Sequence, residues 1–529
     1  MEFAVNLLGL LTPILALSAF IIPMTKLFKV PRCSFVVAVI ASVFAAISST
    51  AVFYHVQKMG PLLYLYGGWP PHFGIVYEID AFNALIGLLI SWVLLAVVVY
   101  SYWYGHHIDD PTWYYTLLLG LETGLLGCTY TGDAFNLFVM IEVLSISAYG
   151  LVAYHRDRAE AVEAAAKYAL IGAVATVLYF TAVIITYAGY GTVNMALLSI
   201  YTRSPNLPLA FKYISVLTIS FALWVFTYKS ALFPNHFWLP DAHPEAPTPV
   251  SAALSGLVVN IGIYATVRFL YTIFGTDSVA GGFREITLVF LSILGAASGI
   301  VGALMMMTQR DIKRLLAYST ICHVGIIYLG ISVGFLAGAR EAIELAMTGA
   351  TIHIIAHGVA KALLFMASGI LIDAAESRDL DNMRGIGRYY PITSLALVLG
   401  FLNLAGFLPF LGFYSKLLIT LGYLNGGYLI GAIIIIAISA LSIPGYMKVI
   451  SAVVFATGSE PKRPVKGGWI EIMLLAMAVS LLVLGVLFQH TWTSYNSAAL
   501  SAISTEGIRR YIMAALDKIP QELFIWLLG

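Results

Sequence analysis

The apolar stretch 210–233 closes on Lys229-Ser-Ala-Leu-Phe-Pro234, and these six residues decide how the fold is read. A run of this length crosses about 30 Å of hydrocarbon as one α-helix, because lipid offers no partner to free backbone groups. Pro234 removes a backbone donor and its ring clashes with the preceding turn, so the helix breaks near it. Lys229 sets an ammonium at lipid depth, where a charge costs roughly 2.5 to 3.5 kcal/mol even on the mildest insertion scale. A second stretch, 392–420, repeats the arrangement: Phe407-Leu-Pro409-Phe-Leu-Gly412 interrupts it, and Lys416 follows the proline within the same run.

The rest of the chain sets these two breaks in an all-α integral membrane protein. Its 529 residues are 60% hydrophobic and 10% charged, against about 25% charged in a soluble domain. Fourteen apolar segments are expected, at 4–23, 33–55, 80–102, 112–129, 132–154, 160–188, 210–233, 247–272, 285–307, 311–334, 344–372, 392–420, 424–450 and 469–489. The first follows Met1-Glu2-Phe3 without a basic leader or a small-residue cleavage pattern, so it reads as a retained helix. Residues 501–528 mix charges with apolar side chains and read as an amphipathic helix at the interface.

The broken segments lie five apart, which suggests an inverted repeat, since an odd number of helices per unit reverses its direction. The expected divisions are a three-helix part (1–110), a first unit of helices four to eight (111–273), a second of helices nine to thirteen (284–450), and the fourteenth helix with the tail (451–529). With the N-terminus outside, the inner loops hold 15 Lys and Arg against nine on the outer side. The excess of basic residues places both termini outside the cell membrane. A net charge of +1 gives no reason to expect nucleic acid. Three scattered cysteines supply no iron–sulfur ligand set and no disulfide framework, and no glycine-rich stretch has the strand context of a dinucleotide fingerprint. No cofactor is expected in this chain.

Lys167, Lys229, Lys361 and Lys416 all lie inside apolar runs, as do Glu142, His323, His353 and His357. Buried titratable groups of both signs point to a path for protons or cations. His353, His357 and Lys361 recur every four residues and share one helix face; imidazole titrates near neutrality and suits a relay. Zinc is the rival occupant of His353 and His357, but the glutamate of the metalloprotease motif is absent and a lysine one turn on opposes a cation, so no metal is expected. Glu142 and Lys229 read as an ion pair whose separation would release the lysine proton. Lys167, with Glu160 and Glu163 nearby, admits a second reading as a side chain snorkelling to the inner surface. Asp80, Asp133 and Asp241 read as caps or loop anchors, and His106, His107, Asp109 and Asp110 as a solvated inner cluster.

The run Trp238-Leu-Pro-Asp-Ala-His-Pro-Glu-Ala-Pro-Thr-Pro-Val-Ser251 resembles the loop after the broken seventh helix in antiporter-like membrane subunits of respiratory complex I, of multisubunit (Mrp-type) cation/proton antiporters and of membrane-bound hydrogenases. Phe135-Asn-Leu-Phe-Val-Met-Ile-Glu142, Asp311-Ile-Lys-Arg-Leu-Leu-Ala-Tyr-Ser319, His353 to Lys361 with Ala-Leu-Leu-Phe after it, and Gly412-Phe-Tyr-Ser-Lys416 match in order, so the likeness spans about residues 80 to 450. The resemblance implies a hydrophilic axis parallel to the membrane, with Glu142 and Lys229 in one half, His353, His357 and Lys361 at the centre and Lys416 at the end. The chain departs in the eighth helix, where members carry Lys or His; Ser255 and Asn260 stand there and neither titrates near neutral pH. Water or His323 would then bridge the gap. The function so implied is translocation of H⁺, or its exchange for Na⁺, by one subunit of a larger membrane redox complex with peripheral redox partners. A stand-alone Na⁺/H⁺ antiporter assembly and a structural membrane anchor without transport are the alternatives.

Overall fold

The computed structural model describes residues 2–27, 33–336, 338–458, 460–463 and 467–518. Lys29, Arg32 and Lys466 of the orientation count, and the end of the 501–528 tail, lie outside the described residues. Among the described residues, 12 helices are long and apolar enough to cross a membrane, which makes the chain a multi-pass membrane protein.

The helices run in chain order as α1 (Glu2–Ile21), α2 (Cys33–Met59), α3 (Ala81–Trp103), α4 (Pro111–Tyr130), α5 (Ala134–Val152) and α6 (Ala159–Tyr190). The seventh segment is broken into α7a (Leu209–Lys229) and α7b (Trp238–Glu245). Then come α8 (Thr248–Ile273), α9 (Gly281–Thr308), α10 (Ile312–Ser332) and α11 (Arg340–Ala375). The twelfth is again in two halves, α12a (Pro391–Ala405) and α12b (Leu411–Asn425), followed by α13 (Leu429–Val449) and α14 (Trp469–Val486). Two further helices, α15 (Phe488–Ile503) and α16 (Thr505–Leu516), close the described chain. A two-stranded antiparallel hairpin, β1 (Leu62–Leu65) with β2 (Val76–Ile79), pairs Leu62 with Ile79 between α2 and α3.

The aspartates set several helix starts by accepting from free backbone N–H groups. Asp80 caps α3, Asp110 caps α4, Asp133 caps α5 and Asp311 caps α10. At Asp80 the cap is reciprocal, because the Asn83 side chain accepts from the Asp80 backbone N–H.

Both prolines sit where expected, in the gaps between helical halves. The sequence leaves 238–246 between segments; instead Trp238 to Glu245 form α7b, and Thr248 begins α8 close to the expected 247. Trp238 explains why: its ring stacks on Tyr168 at 4.0 Å and its indole N–H donates to the Tyr228 carbonyl at 3.0 Å, folding α7b back under the break.

Burial sorts the bundle. The most apolar window of α8 is 100% buried and those of α10 and α11 are each 94% buried, whereas α14 reaches only 28%. A helix enclosed on all sides can carry polar side chains without showing them to lipid. Close approach makes this possible: a Cβ on Gly256 of α8 would lie 2.7 Å from the Gly358 carbonyl of α11. α8 also contains two π-helical stretches, Leu254–Val258 and Arg268–Ile273, a local widening that frequently marks functional sites.

Three residues that the sequence places among the loop charges are buried. Arg268 is fully enclosed and makes a forked pair with Asp80, both contacts at 2.7 Å. Arg284 donates to the Leu270 and Gly334 carbonyls, and Lys313 to the Ala246 carbonyl at 2.8 Å. The tail also differs from a helix lying only on lipid: α16 buries Ile508, Tyr511 and Ala515, with Tyr511 over the Arg268 guanidinium at 4.9 Å.

Candidate functional site: a polar row through the enclosed helices

α7a ends on Lys229, so its ammonium stands at the break with no exposure. Nζ donates to Ser145 Oγ on α5 at 2.7 Å. The rings of Tyr168, Tyr149 and Tyr228 surround it at 5.3, 5.4 and 5.8 Å from their centroids, within the reach of a cation–π attraction. The expected ion pair with Glu142 is not formed. Glu142 is near enough to act on Lys229 electrostatically, but it is half-buried. It lies three residues before Ser145, on the same side of α5, yet the hydrogen bond to the ammonium comes from the Ser145 hydroxyl and not from the carboxylate.

The centre is a hydrogen-bonded chain across four helices. Ser415 Oγ of α12b pairs with His353 Nδ1 at 2.7 Å, and His353 Nε2 pairs with His323 Nδ1 of α10 at 2.9 Å. His323 Nε2 then meets the Tyr446 hydroxyl of α13 at 2.7 Å, and Tyr446 meets Ser319 at 3.0 Å. An imidazole can exchange donor and acceptor roles between its two nitrogens, so this chain can pass a proton in either direction. His357 lies one turn from His353 with both ring nitrogens buried and without a protein partner, its ring 5.6 Å from that of His323.

Lys361, fully buried, donates to the Leu316 carbonyl at 3.0 Å. The same carbonyl accepts from Thr320 Oγ1 at 3.0 Å, and Thr320 pairs with Ser255 at 2.5 Å. Ser255 is thereby two hydrogen bonds from the carbonyl that holds Lys361, on the π-helical stretch of α8. Asn260 donates to the Gly256 carbonyl at 2.7 Å, leaving Oδ1 buried and without a partner.

At the far end Lys416 of α12b reaches back across the break. Its Nζ donates to the carbonyls of Leu404 and Ala405, at 2.8 and 3.1 Å. These are the last carbonyls of α12a, left free because that helix stops.

Lys167 does not join the row. Its side chain is 48% exposed and pairs with Glu163 at 2.8 Å and Asp241 at 3.3 Å, the snorkelling arrangement. The inner cluster expected to be solvated is tied down as well: His106 and His107 pair with the two oxygens of Asp373 at 3.1 and 3.0 Å, and Lys26 pairs with Asp110 at 2.8 Å. Burial works to raise the Asp110 carboxyl, but the Lys26 ammonium prevails and holds it below the usual carboxylate range.

The sequence reading assigns no role to His243, which belongs with these groups. It lies on α7b, fully buried, stacked on Phe365 at 4.7 Å, with both nitrogens unpartnered and within electrostatic reach of Lys313 and Lys361. The chain gives little sign of it, since Asp241 and Glu245 flank His243 and the stretch reads as polar.

Residues 131–442 match the family model described as NADH:quinone oxidoreductase/Mrp antiporter, TM. NADH-quinone oxidoreductase subunit N of Desulforudis audaxviator (strain MP104C) is 33% identical over 474 residues, covering 88% of this chain and 89% of the relative. The D-type subunit of the Na(+)/H(+) antiporter of Alkalihalophilus pseudofirmus is 31% identical over 398 residues, covering 75% and 76%. A chain in the archaeal membrane-bound sulfane sulfur reductase, a respiratory membrane complex, superposes with a TM-score of 0.86 at 28% identity, covering 96% of this chain and 99% of that one. The chain therefore belongs to the NADH:quinone oxidoreductase/Mrp antiporter family of antiporter-like membrane subunits.

Proposed function

We propose that this subunit carries protons along the buried row from Lys229 through Lys361 and the His353–His323 pair to Lys416, as one part of a multisubunit membrane redox complex. The observation that carries the reading is the unbroken hydrogen-bond chain from Ser415 through His353 and His323 to Tyr446, sited between two buried lysines. Transport itself accords with the family; the residue roles are the proposal. Lys229 is the lysine most open to switching, because it stands at the end of a half-helix and its hydrogen bond is to a side-chain hydroxyl rather than to the backbone. Movement of α7b would change that contact and release or take up its proton. Water is the expected carrier along the row, where Asn260, His243 and His357 leave polar atoms free.

The fourteen-segment count, the inverted relation of helices four to eight and nine to thirteen, and both termini on the outer side belong to the same reading. The broken α7 and α12 support the repeat, and the basic loops support the orientation. Lys229→Ala, with ion pumping measured in the reconstituted parent complex, tests the function. Transport is expected to fall about a hundredfold, the lower range for a positioned proton carrier; unchanged transport defeats the proposal.

The likeness to a Na(+)/H(+) antiporter favours a second reading, exchange of Na⁺ for H⁺ in an assembly without redox subunits. The proteins that co-purify decide between them: iron–sulfur or other redox proteins for the first, membrane proteins alone for the second.

A further inference from the structure

A buried carboxyl that the row does not use lies elsewhere in the bundle, in the N-terminal part. Glu122 occupies the middle of α4 and has no exposure. Its Oε2 accepts from Ser42 Oγ of α2 at 2.6 Å, while Oε1 is buried without a partner. Among the described residues Ser42 is its hydrogen-bond partner, and no Lys, Arg or His is paired with it. A bare carboxylate in such surroundings is far more costly than a neutral acid, so the group must hold a proton or release it only as another charge arrives.

The neighbourhood is suited to delivering one. Ser34, Ser42 and Ser49 of α2 are all fully buried and recur at eight and seven residues, two helical turns each, so they share a face. The row from Ser34 to Ser49 rises about 22 Å, most of the hydrocarbon thickness. Ser34 pairs with Thr25 at 2.9 Å at one end. At the other, the buried Ser49 and the Tyr130 hydroxyl of α4 interact with each other without full hydrogen-bond geometry, and Ser48 is buried without a partner. Unpartnered buried hydroxyls on the same two helices as an unpartnered carboxyl oxygen offer places for water and a proton.

We infer that Glu122 is a second proton-binding station, served through the hydroxyl seam of α2 and α4 along the membrane normal and separate from the lysine–histidine row. The site selects a proton over a metal cation, because one serine oxygen and one carboxyl do not furnish the six or more oxygens a hard cation takes.

The test uses the parent complex in native membrane vesicles. A hydrophobic carbodiimide, which reacts with protonated carboxyls in apolar surroundings, is added and its adduct is located by mass spectrometry; proton uptake is followed for wild type, Glu122→Gln, Glu122→Asp and Lys229→Ala. The expected result is an adduct on Glu122 that slows uptake in the wild type. Glu122→Gln should assemble yet lose uptake about a hundredfold, and Glu122→Asp should restore much of it. Wild-type uptake in an assembled Glu122→Gln complex overturns the inference. If that variant fails to assemble, the labelling decides: no adduct on Glu122, or an adduct without slowed uptake, also overturns it. The Lys229→Ala arm is independent, so failure of the row and failure of Glu122 are read separately.

Discussion

Lys229 and Lys416 meet the same physical demand in different ways. Both are buried ammonium groups beside a helix break, and neither has a carboxylate in contact among the described residues. Lys229 is held by one hydroxyl and three aromatic faces, all supplied by side chains. Lys416 is held by two carbonyls of the backbone itself. The Lys416 site is therefore written into the shape of α12, whereas the Lys229 site is written into particular residues. Single substitutions can loosen the first lysine but have little to remove at the second.

Arginine in place of either lysine sharpens the comparison most. A guanidinium keeps its charge but cannot release a proton, so Lys229→Arg and Lys416→Arg should each lower proton transport about a hundredfold while the complex still assembles; uptake assays on purified complex check this. Transport retained at one position and lost at the other would show that only one of them exchanges protons.

Next in size is Ser145→Ala, which removes the hydroxyl that holds a buried cation and should cost about 1.5 to 3 kcal/mol in thermal or denaturant stability. No single side-chain deletion should do the same to Lys416. A loss below measurement for Ser145→Ala would mean that the tyrosine faces suffice.

Tyr149→Leu is expected to cost about 0.5 to 2 kcal/mol by removing one face of the cage, and to shift the pH dependence of transport by loosening the hold on the charged form. Lys26→Ala, far from both sites, serves as the reference. Its pair with Asp110 is partly exposed, and such pairs contribute about 0 to 1 kcal/mol. Because Asp110 is held below its unfolded range, that contribution is present at neutral pH and fades as acid protonates the carboxyl. A loss larger than that for Ser145→Ala would reverse the ranking.

Much of this is legible in the sequence because a charge at lipid depth has few explanations. Lys229, Lys361 and Lys416 announce themselves, and Pro234 and Pro409 mark the breaks. What the chain does not disclose is partnership. Glu142 and Ser145 are three residues apart on α5, and nothing in their spelling says which one faces Lys229. Ser415 and Tyr446 become members of the histidine chain only through the packing of α12b and α13 against α10 and α11. Arg268, Arg284 and Lys313 read as loop charges because they lie near segment ends; enclosure by neighbouring helices, invisible to any window of sequence, buries them. His243 escapes notice for a similar reason, since a stretch rich in proline reads as a loop until Trp238 is seen stacked on Tyr168.

The central claim is that the lysines and histidines are joined by water through the enclosed helices. An experimental density map of the parent complex, sharp enough to show ordered water, tests it most directly. The account predicts water at His357, His243 and Asn260 Oδ1, whose polar atoms have no protein partner, continuing from Lys229 to Lys361. A map in which apolar side chains fill the space between those two lysines, with no ordered water at any of the three sites, would contradict it.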